Sequence, residues 1–251
     1  MIANSASLKG KTALVTGAAK RLGAATALEL ARHGAGVVIH YGRSHTEAEE
    51  VAQAVQSAGA PAFTLPADLA DPAAGAGLID RAVELAGPID ILVNNASIFP
   101  SGTLETMTAG DLYANIDVNA LAPLLISRRF YAQRRPGCIV NMLDARIADF
   151  DSSHAPYHLS KRMLFSLTRM MAVEFAPAVR VNAVAPGLIL PPDGEDETYL
   201  ERLAHTNPLG RHGNPEDVVD AIMFLVRSEF VTGQVIFVDG GRHMKGAMYG
   251  L

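Results

Sequence analysis

The stretch K-T-A-L-V-T-G-A-A-K-R-L-G, residues 11–23, decides the fold. Its first six residues form a short apolar run rich in strand formers, and Gly17 follows at once, as at the end of a buried parallel strand. A helix starts near Leu22 and continues through strong helix formers to His33, where Gly34 stops it. In such a strand-loop-helix unit, glycines let the backbone approach a phosphate closely, and the first N–H groups of the helix supply partial positive charge. Gly17 and Gly23, with Lys20 and Arg21 between them, therefore mark a dinucleotide loop; an ordinary tight turn is the competing account.

Outward from this unit the same alternation recurs. Strands are expected at residues 37–41, 62–65, 89–93, 138–143, 179–185 and 234–239, and helices at 46–58, 73–86, 111–131, from 157 onward and at 215–226. Alternating strands and helices place the chain in the α/β class. At 251 residues, 49% hydrophobic and 19% charged, it is long enough for one large core, and residues 1–251 are expected to form a single domain. The formal net charge of -5 gives no footprint for nucleic acid or an anionic membrane. A lone cysteine, Cys138, sits in an apolar strand and cannot close an internal disulfide. No apolar run reaches the ~18 residues that span a bilayer, and the opening residues lack a signal-peptide core. A cytosolic, cytoplasmic protein is expected.

The chemistry-bearing residues fall at strand ends. The second strand closes on His40-Tyr41 without the acidic residue that would hold a ribose; Arg43 and Ser44 follow, and with Lys20 and Arg21 they suit a 2′-phosphate. NADPH is favoured over NADH, with solvated surface charge as the alternative. Asp68-Leu69 follows the third strand, where Asp68 accepts from an adenine amino group or caps the next turn. Asn94-Asn95-Ala96-Ser97 follows the fourth, suiting structural and cofactor-positioning roles alike. Asn119 lies midway along an apolar segment and needs a partner, either a backbone carbonyl or a water near Lys161. Asp144 sits just past the fifth strand, on the side where open α/β sheets bind ligands.

Tyr157 and Lys161, four residues apart after Pro156, share one helix face. A fixed ammonium favours a phenolate and lowers a tyrosine from its ordinary ~10 toward working pH. The plain alternative is a surface helix pair. Met163, Leu164, Leu167, Met170 and Met171 continue that helix at core or subunit-contact spacing. Residues 191–208 begin acidic and turn-rich and then suggest a short helix at 198–205, as a lid or an exposed insertion. The tail, 240–251, is glycine- and methionine-containing and suited to crossing a subunit boundary. The histidines are scattered without metal-ligand pairing.

Taken in order, T-G-A-A-K-R-L-G at 16–23, D-L at 68, N-N-A-S at 94, Asn119, Y-x-x-x-K at 157, P-G at 186 and V-T-G-Q-V-I-F-V-D-G-G at 231 resemble the classical short-chain dehydrogenases/reductases over essentially the whole chain. The resemblance implies a single-domain, Rossmann-like, doubly wound sheet of seven parallel strands with helices on both faces, NADPH/NADP as cofactor and a homotetramer. Two departures are informative: Arg21 stands where that family usually has glycine, and Asp144, thirteen residues before Tyr157, where it usually has serine. With H-Y-G-R-S after the second strand and N-A-S-I-F at 95–99, the chain resembles the pteridine reductase branch.

That resemblance implies a cofactor site drawn from Gly17, Lys20, Arg21, Leu22 and Gly23 in the first loop, and His40, Tyr41, Arg43 and Ser44 after the second strand. It adds Asp68 and Leu69 around the adenine, then Asn95, Ala96, Ser97, Lys161, Pro186 and Gly187. Ser97, Phe99, Asp144 and Tyr157 would hold the substrate, with Phe99 stacked on a flat pterin, and Asp144, Tyr157, Lys161 and Asn119 would be the catalytic set. A carboxyl can address ring nitrogens and relay a proton where a serine hydroxyl suits a ketone oxygen. An ionised Asp144 also opposes the effect of Lys161 on Tyr157, so a coupled pair is expected. Reduction of another carbonyl or enone, or NADPH binding without turnover, are the competing readings.

Overall fold

The structure is a computed structural model and describes residues 7–149, 151–192 and 194–249. Residues 1–6, on which the expectation about a signal peptide partly rests, Asp193 in the acidic segment and the last two residues of the tail lie outside the described residues.

Seven parallel strands form one sheet in the order β3-β2-β1-β4-β5-β6-β7. They are β1 Thr12–Val15, β2 Gly36–Tyr41, β3 Ala62–Pro66, β4 Ile91–Asn94, β5 Gly137–Met142, β6 Val179–Pro186 and β7 Val235–Val238. Helices α1 Arg21–Arg32, α2 His45–Ser57 and α3 Pro72–Ala86 connect the first four strands. Side chains alternate across a strand, so each central strand feeds two cores. Ala13 and Val15 of β1 pack with Val37 and Ile39 beneath α1 and α2, whereas Leu14 and Val38 turn to the opposite face. Both faces are covered, as a fully parallel sheet requires. After β3 the chain crosses back to pair β4 with β1, so the strand order reverses there and leaves a crevice at the carboxyl ends of the central strands.

The long helix expected over 111–131 is broken in a definite way. α4, Ala109–Ile116, begins two residues earlier because Thr108 and Asp111 form a reciprocal capping box. A π-helical turn, Asp117–Leu121, then leads into α5, Ala122–Tyr131. Pro123 explains the interruption: it has no N–H for the Asn119 carbonyl, so the ladder shifts register. α6, Ala155–Glu174, carries Pro156 in its first turn, where the missing donor costs nothing.

α7, Glu197–Leu203, lies within the expected lid segment, and α8, Pro215–Arg227, starts from an Asn214–Asp217 capping box. Part of the tail is helical: α9, Arg242–Tyr249, begins where Asp239 accepts from the N–H groups of Gly241 and His243. Among the described residues, no helix is long and apolar enough to cross a membrane.

Candidate active site

The first loop is fastened from two sides. Gly17 has φ +62°, and a Cβ there would lie 2.8 Å from the Ala96 Cα; one on Gly23 would collide with the Gly17 carbonyl oxygen. Asn95 Nδ2 donates to the carbonyls of Thr16 and Gly17 at 2.9 and 3.0 Å, and Thr16 Oγ1 accepts from the N–H groups of Asn95 and Ala96. No side chain caps the start of α1, which leaves first-turn donors for an anion. This backbone cradle, closed to a Cβ, fits a dinucleotide pyrophosphate. Arg21 adopts φ +54° and reaches the Pro191 carbonyl at 2.7 Å, tying the loop to the start of the lid segment. Leu22, one residue into α1, packs sideways against the core and gives the loop no donor from its side chain.

His40 differs from its expected place among the phosphates. Its Nδ1 accepts from the Gly17 N–H at 3.1 Å, so the ring proton sits on Nε2 and points to the Ala67 carbonyl at 3.1 Å. Burial pushes its pKa down to about 4, against a smaller opposing effect of the Ala67 contact. It shapes the loop from behind. Tyr41 is likewise buried, and its hydroxyl meets His45 Nδ1 at 2.9 Å. Of the basic groups expected around a 2′-phosphate, Arg43 is exposed at the end of β2, Ser44 precedes α2 with its hydroxyl uninvolved in capping, and Lys20 pairs with Glu47 at 2.7 Å. Asp68 is exposed and accepts from the Ala70 N–H at 3.0 Å, which is the capping geometry; Leu69 beside it is buried.

Asn94 is buried and bonded to Ser127 and Asn141, a structural role. Asn119, placed by the π-helical turn, finds the backbone partner expected of it: Nδ2 donates to the Ile98 carbonyl at 3.0 Å while Oδ1 accepts from the Ile98 N–H and the Ser97 hydroxyl. It also donates to Ser160 Oγ at 3.0 Å, so it braces the 97–99 strand exit against α6. Gly187 donates its N–H to the Val238 carbonyl, and a Cβ there would lie 2.5 Å from the Asp239 Cβ; Pro186 pairs with Val238 beside it.

Asp144, Tyr157 and Lys161 come together. The Tyr157 hydroxyl donates to Asp144 Oδ2 at 2.9 Å, while Oδ1 accepts from the Arg146 N–H at 2.8 Å and so fixes the carboxylate's orientation. Lys161 donates to the Met142 carbonyl at 2.8 Å, with its ammonium 5.6 Å from the Tyr157 ring centroid. Here the expected lowering of the tyrosine is overturned. Burial pushes the Tyr157 pKa well above its ordinary value and the Asp144 charge adds to it, so the phenol keeps its proton. Burial lowers the Lys161 pKa to about 8, although Asp144 pulls the other way.

Phe99, half exposed, stands edge-on to Tyr157 with centroids 4.5 Å apart and is stacked at 4.0 Å on His154. This support did not emerge from the sequence. Asp151 accepts from His154 Nδ1 and meets His158 Nε2, both at 3.1 Å; its pKa falls to about 2 because, against burial, the Ser153 N–H and both imidazoles hold it charged. Gly102 exchanges backbone bonds with Ser153 and Ala155, locking the Phe99 segment to the start of α6. The D-S-S-H-A-P-Y-H run at 151–158 carried the signal, in an acid spaced three and seven residues from two histidines.

Residues 17–243 match the family model described as enoyl-(acyl carrier protein) reductase. The versicolorin reductase stcU of Emericella nidulans is 35% identical over 253 residues, covering 93% of this chain and 96% of that protein. Among solved structures, FolM alternative dihydrofolate reductase 1 from Brucella canis, complexed with NADP, is 33% identical with a TM-score of 0.88 over 95% of this chain and 96% of its own. A blue fluorescent protein from a metagenomic library, in complex with NADPH, is 31% identical with a TM-score of 0.87, covering 94% of this chain and 99% of its own. With that match spanning the first loop, the Tyr157–Lys161 helix and the turn at Gly187, the chain belongs to the classical short-chain dehydrogenase/reductase family of oxidoreductases.

Proposed function

We propose that the protein is an NADPH-dependent reductase of a pterin-type substrate, a dihydropterin or dihydrofolate. The observation that carries this reading is the carboxylate of Asp144 receiving the Tyr157 hydroxyl at 2.9 Å, in place of the family's usual serine, with the half-exposed Phe99 ring edge-on to the same phenol. The likeness to the NADP-bound FolM protein supports it. When bound, the reduced cofactor supplies the hydride that the protein's own side chains cannot.

The chain's contribution is geometry and proton placement. The Gly17–Gly23 cradle would receive the pyrophosphate, with Arg43 and Ser44 after β2 facing the 2′-phosphate and Lys20 and Arg21 joining them on release from Glu47 and the Pro191 carbonyl. Lys161, already oriented by the Met142 carbonyl, would hold the nicotinamide ribose. The exposed face of Phe99 receives a flat heterocycle, and His154 behind it keeps the ring from turning away. Carbon–nitrogen double-bond reduction needs a proton at nitrogen, and Tyr157 holds one there because burial and Asp144 keep it neutral. Asp144 shares that proton and fixes the phenol's direction. The site is proposed to work within a cytoplasmic homotetramer.

Substrate-dependent oxidation of NADPH with dihydrobiopterin, dihydromonapterin and dihydrofolate, set against 3-oxoacyl thioesters and steroids, tests the reading. Turnover of a pterin is expected, and Asp144→Ser is expected to lower kcat on it roughly 100-fold, within the range of general acid–base contributions. Unchanged pterin reduction in that variant removes the role given to the carboxyl. Turnover of carbonyl compounds alone would favour the second reading, a reductase of another carbonyl or enone substrate, which a 35% identity to a putative ketoacyl reductase of Streptomyces violaceoruber supports.

A further inference from the structure

One guanidinium near this site has no partner among the described residues. Arg242 opens α9, which packs against the 3-10 turn Ala145–Ile147 directly after Asp144. Its backbone is fixed by Asp239, whose carbonyl takes the Arg242 N–H and whose carboxylate takes the N–H and Nδ1 of His243, the latter at 2.7 Å. Lys245 ties the same helix to the His205 carbonyl at the end of the α7 segment.

The neighbouring Arg146 is already committed, with Asp149 at 3.7 Å and Asp151 at 3.5 Å. Arg242 is partly buried, and no hydrogen bond or ion pair to its guanidinium occurs among the described residues. Burial and the Arg146 charge lower its pKa, while Tyr199, Asp144 and Asp149 oppose them. A guanidinium held partly out of water wants a planar oxygen pair. The two nearby carboxylates argue against a phosphate dianion and for one carboxylate group seated at the guanidinium.

We infer that Arg242 anchors a carboxylate carried by the substrate on the arm that leads away from the reduced ring, making the pocket selective for anionic over neutral pterins. The inference rests on the pterin reading and deepens it: ring chemistry lies between Tyr157 and Phe99, and discrimination lies between α7 and α9. Arg242 is then a specificity-determining residue that leaves the proton path alone.

The test compares wild type, Arg242→Gln and Arg242→Lys on dihydrofolate, whose tail bears carboxylates, and dihydrobiopterin, which has the same ring and no anion. Calorimetry adds the binding of p-aminobenzoylglutamate, the tail alone, to protein saturated with NADP. Arg242→Gln should raise the KM for dihydrofolate relative to dihydrobiopterin roughly tenfold with kcat for dihydrofolate kept, and abolish tail binding; the lysine variant should recover part of both. Equal effects on the two substrates, or a smaller assembly in Arg242→Gln, would overturn the inference and assign the arginine to a protein contact. If wild type reduces neither pterin, the functional reading fails separately, and tail binding that survives in Arg242→Gln sinks the anchor as well.

Discussion

His40 shows how one buried side chain can couple acid stability to the cofactor loop. In the folded chain its Nδ1 must stay unprotonated to accept from Gly17, and its pKa is about 4 against an ordinary value of ~6.5 in the unfolded chain. The unfolded state therefore binds the proton first as pH falls, so stability supplied at neutral pH is full above ~6.5 and drains away down through the folded value. The whole effect is on the order of 3 kcal/mol, with about 2 kcal/mol gone by pH 5. Denaturant midpoints at pH 7 and pH 5 should show this loss in wild type and a smaller one in His40→Asn; identical losses would clear His40 of the role. The resemblance implied His40 among the groups around the cofactor phosphates, whereas its ring lies behind the loop, held between the Gly17 N–H and the Ala67 carbonyl. Which way an imidazole turns depends on a glycine N–H twenty-three residues earlier, and no local pattern encodes that. Asp144, Tyr157 and Lys161 were readable by contrast, because helical spacing and a strand end fix their directions.

At the scale of elements, the sequence located nearly every strand and helix, since parallel strands buried on both faces are continuous apolar runs. It missed what the backbone does inside an element. The break at Asp117–Leu121 depends on one absent N–H at Pro123, and the start of α9 on a carboxylate reaching forward from Asp239. The first matters for the site, because the π-helical turn aims Asn119 at Ile98, Ser97 and Ser160 together. Asn119→Ala would remove the partner of the Ile98 N–H and carbonyl in a part-buried setting, a cost of about 1 kcal/mol. The expected outcome is a lower denaturant midpoint together with a raised KM for the proposed pterin substrate, since the segment carrying Phe99 loses its brace. A stability loss with KM untouched would confine Asn119 to holding helices together.

At the scale of the whole molecule, α6, which carries Tyr157 and Lys161, also bears an uncovered apolar stripe. Along α6, Leu159 is 42% exposed, Met163 37%, Met170 62% and Val173 81%, while Tyr157 and Lys161 on the same helix are buried. Tyr113, 61% exposed on the adjacent α4, extends the surface. An exposed row of large apolar side chains of this kind fits a contact with another protein surface. A second copy packed helix against helix would cover both stripes at once and stiffen the segment that holds the reacting groups, in keeping with the proposed homotetramer. Sedimentation should give a native mass at a multiple of the 26.6 kDa chain, and Met170→Glu with Val173→Glu should reduce it, since burying two added carboxylates against apolar side chains is prohibitive. Both substitutions lie more than two turns beyond Lys161, so loss of the proposed pterin turnover in the dissociated variant would show that the assembled face sustains the Tyr157–Lys161 end of α6. A wild type that sediments as the single chain would leave the stripe without a partner and dismiss the assembly.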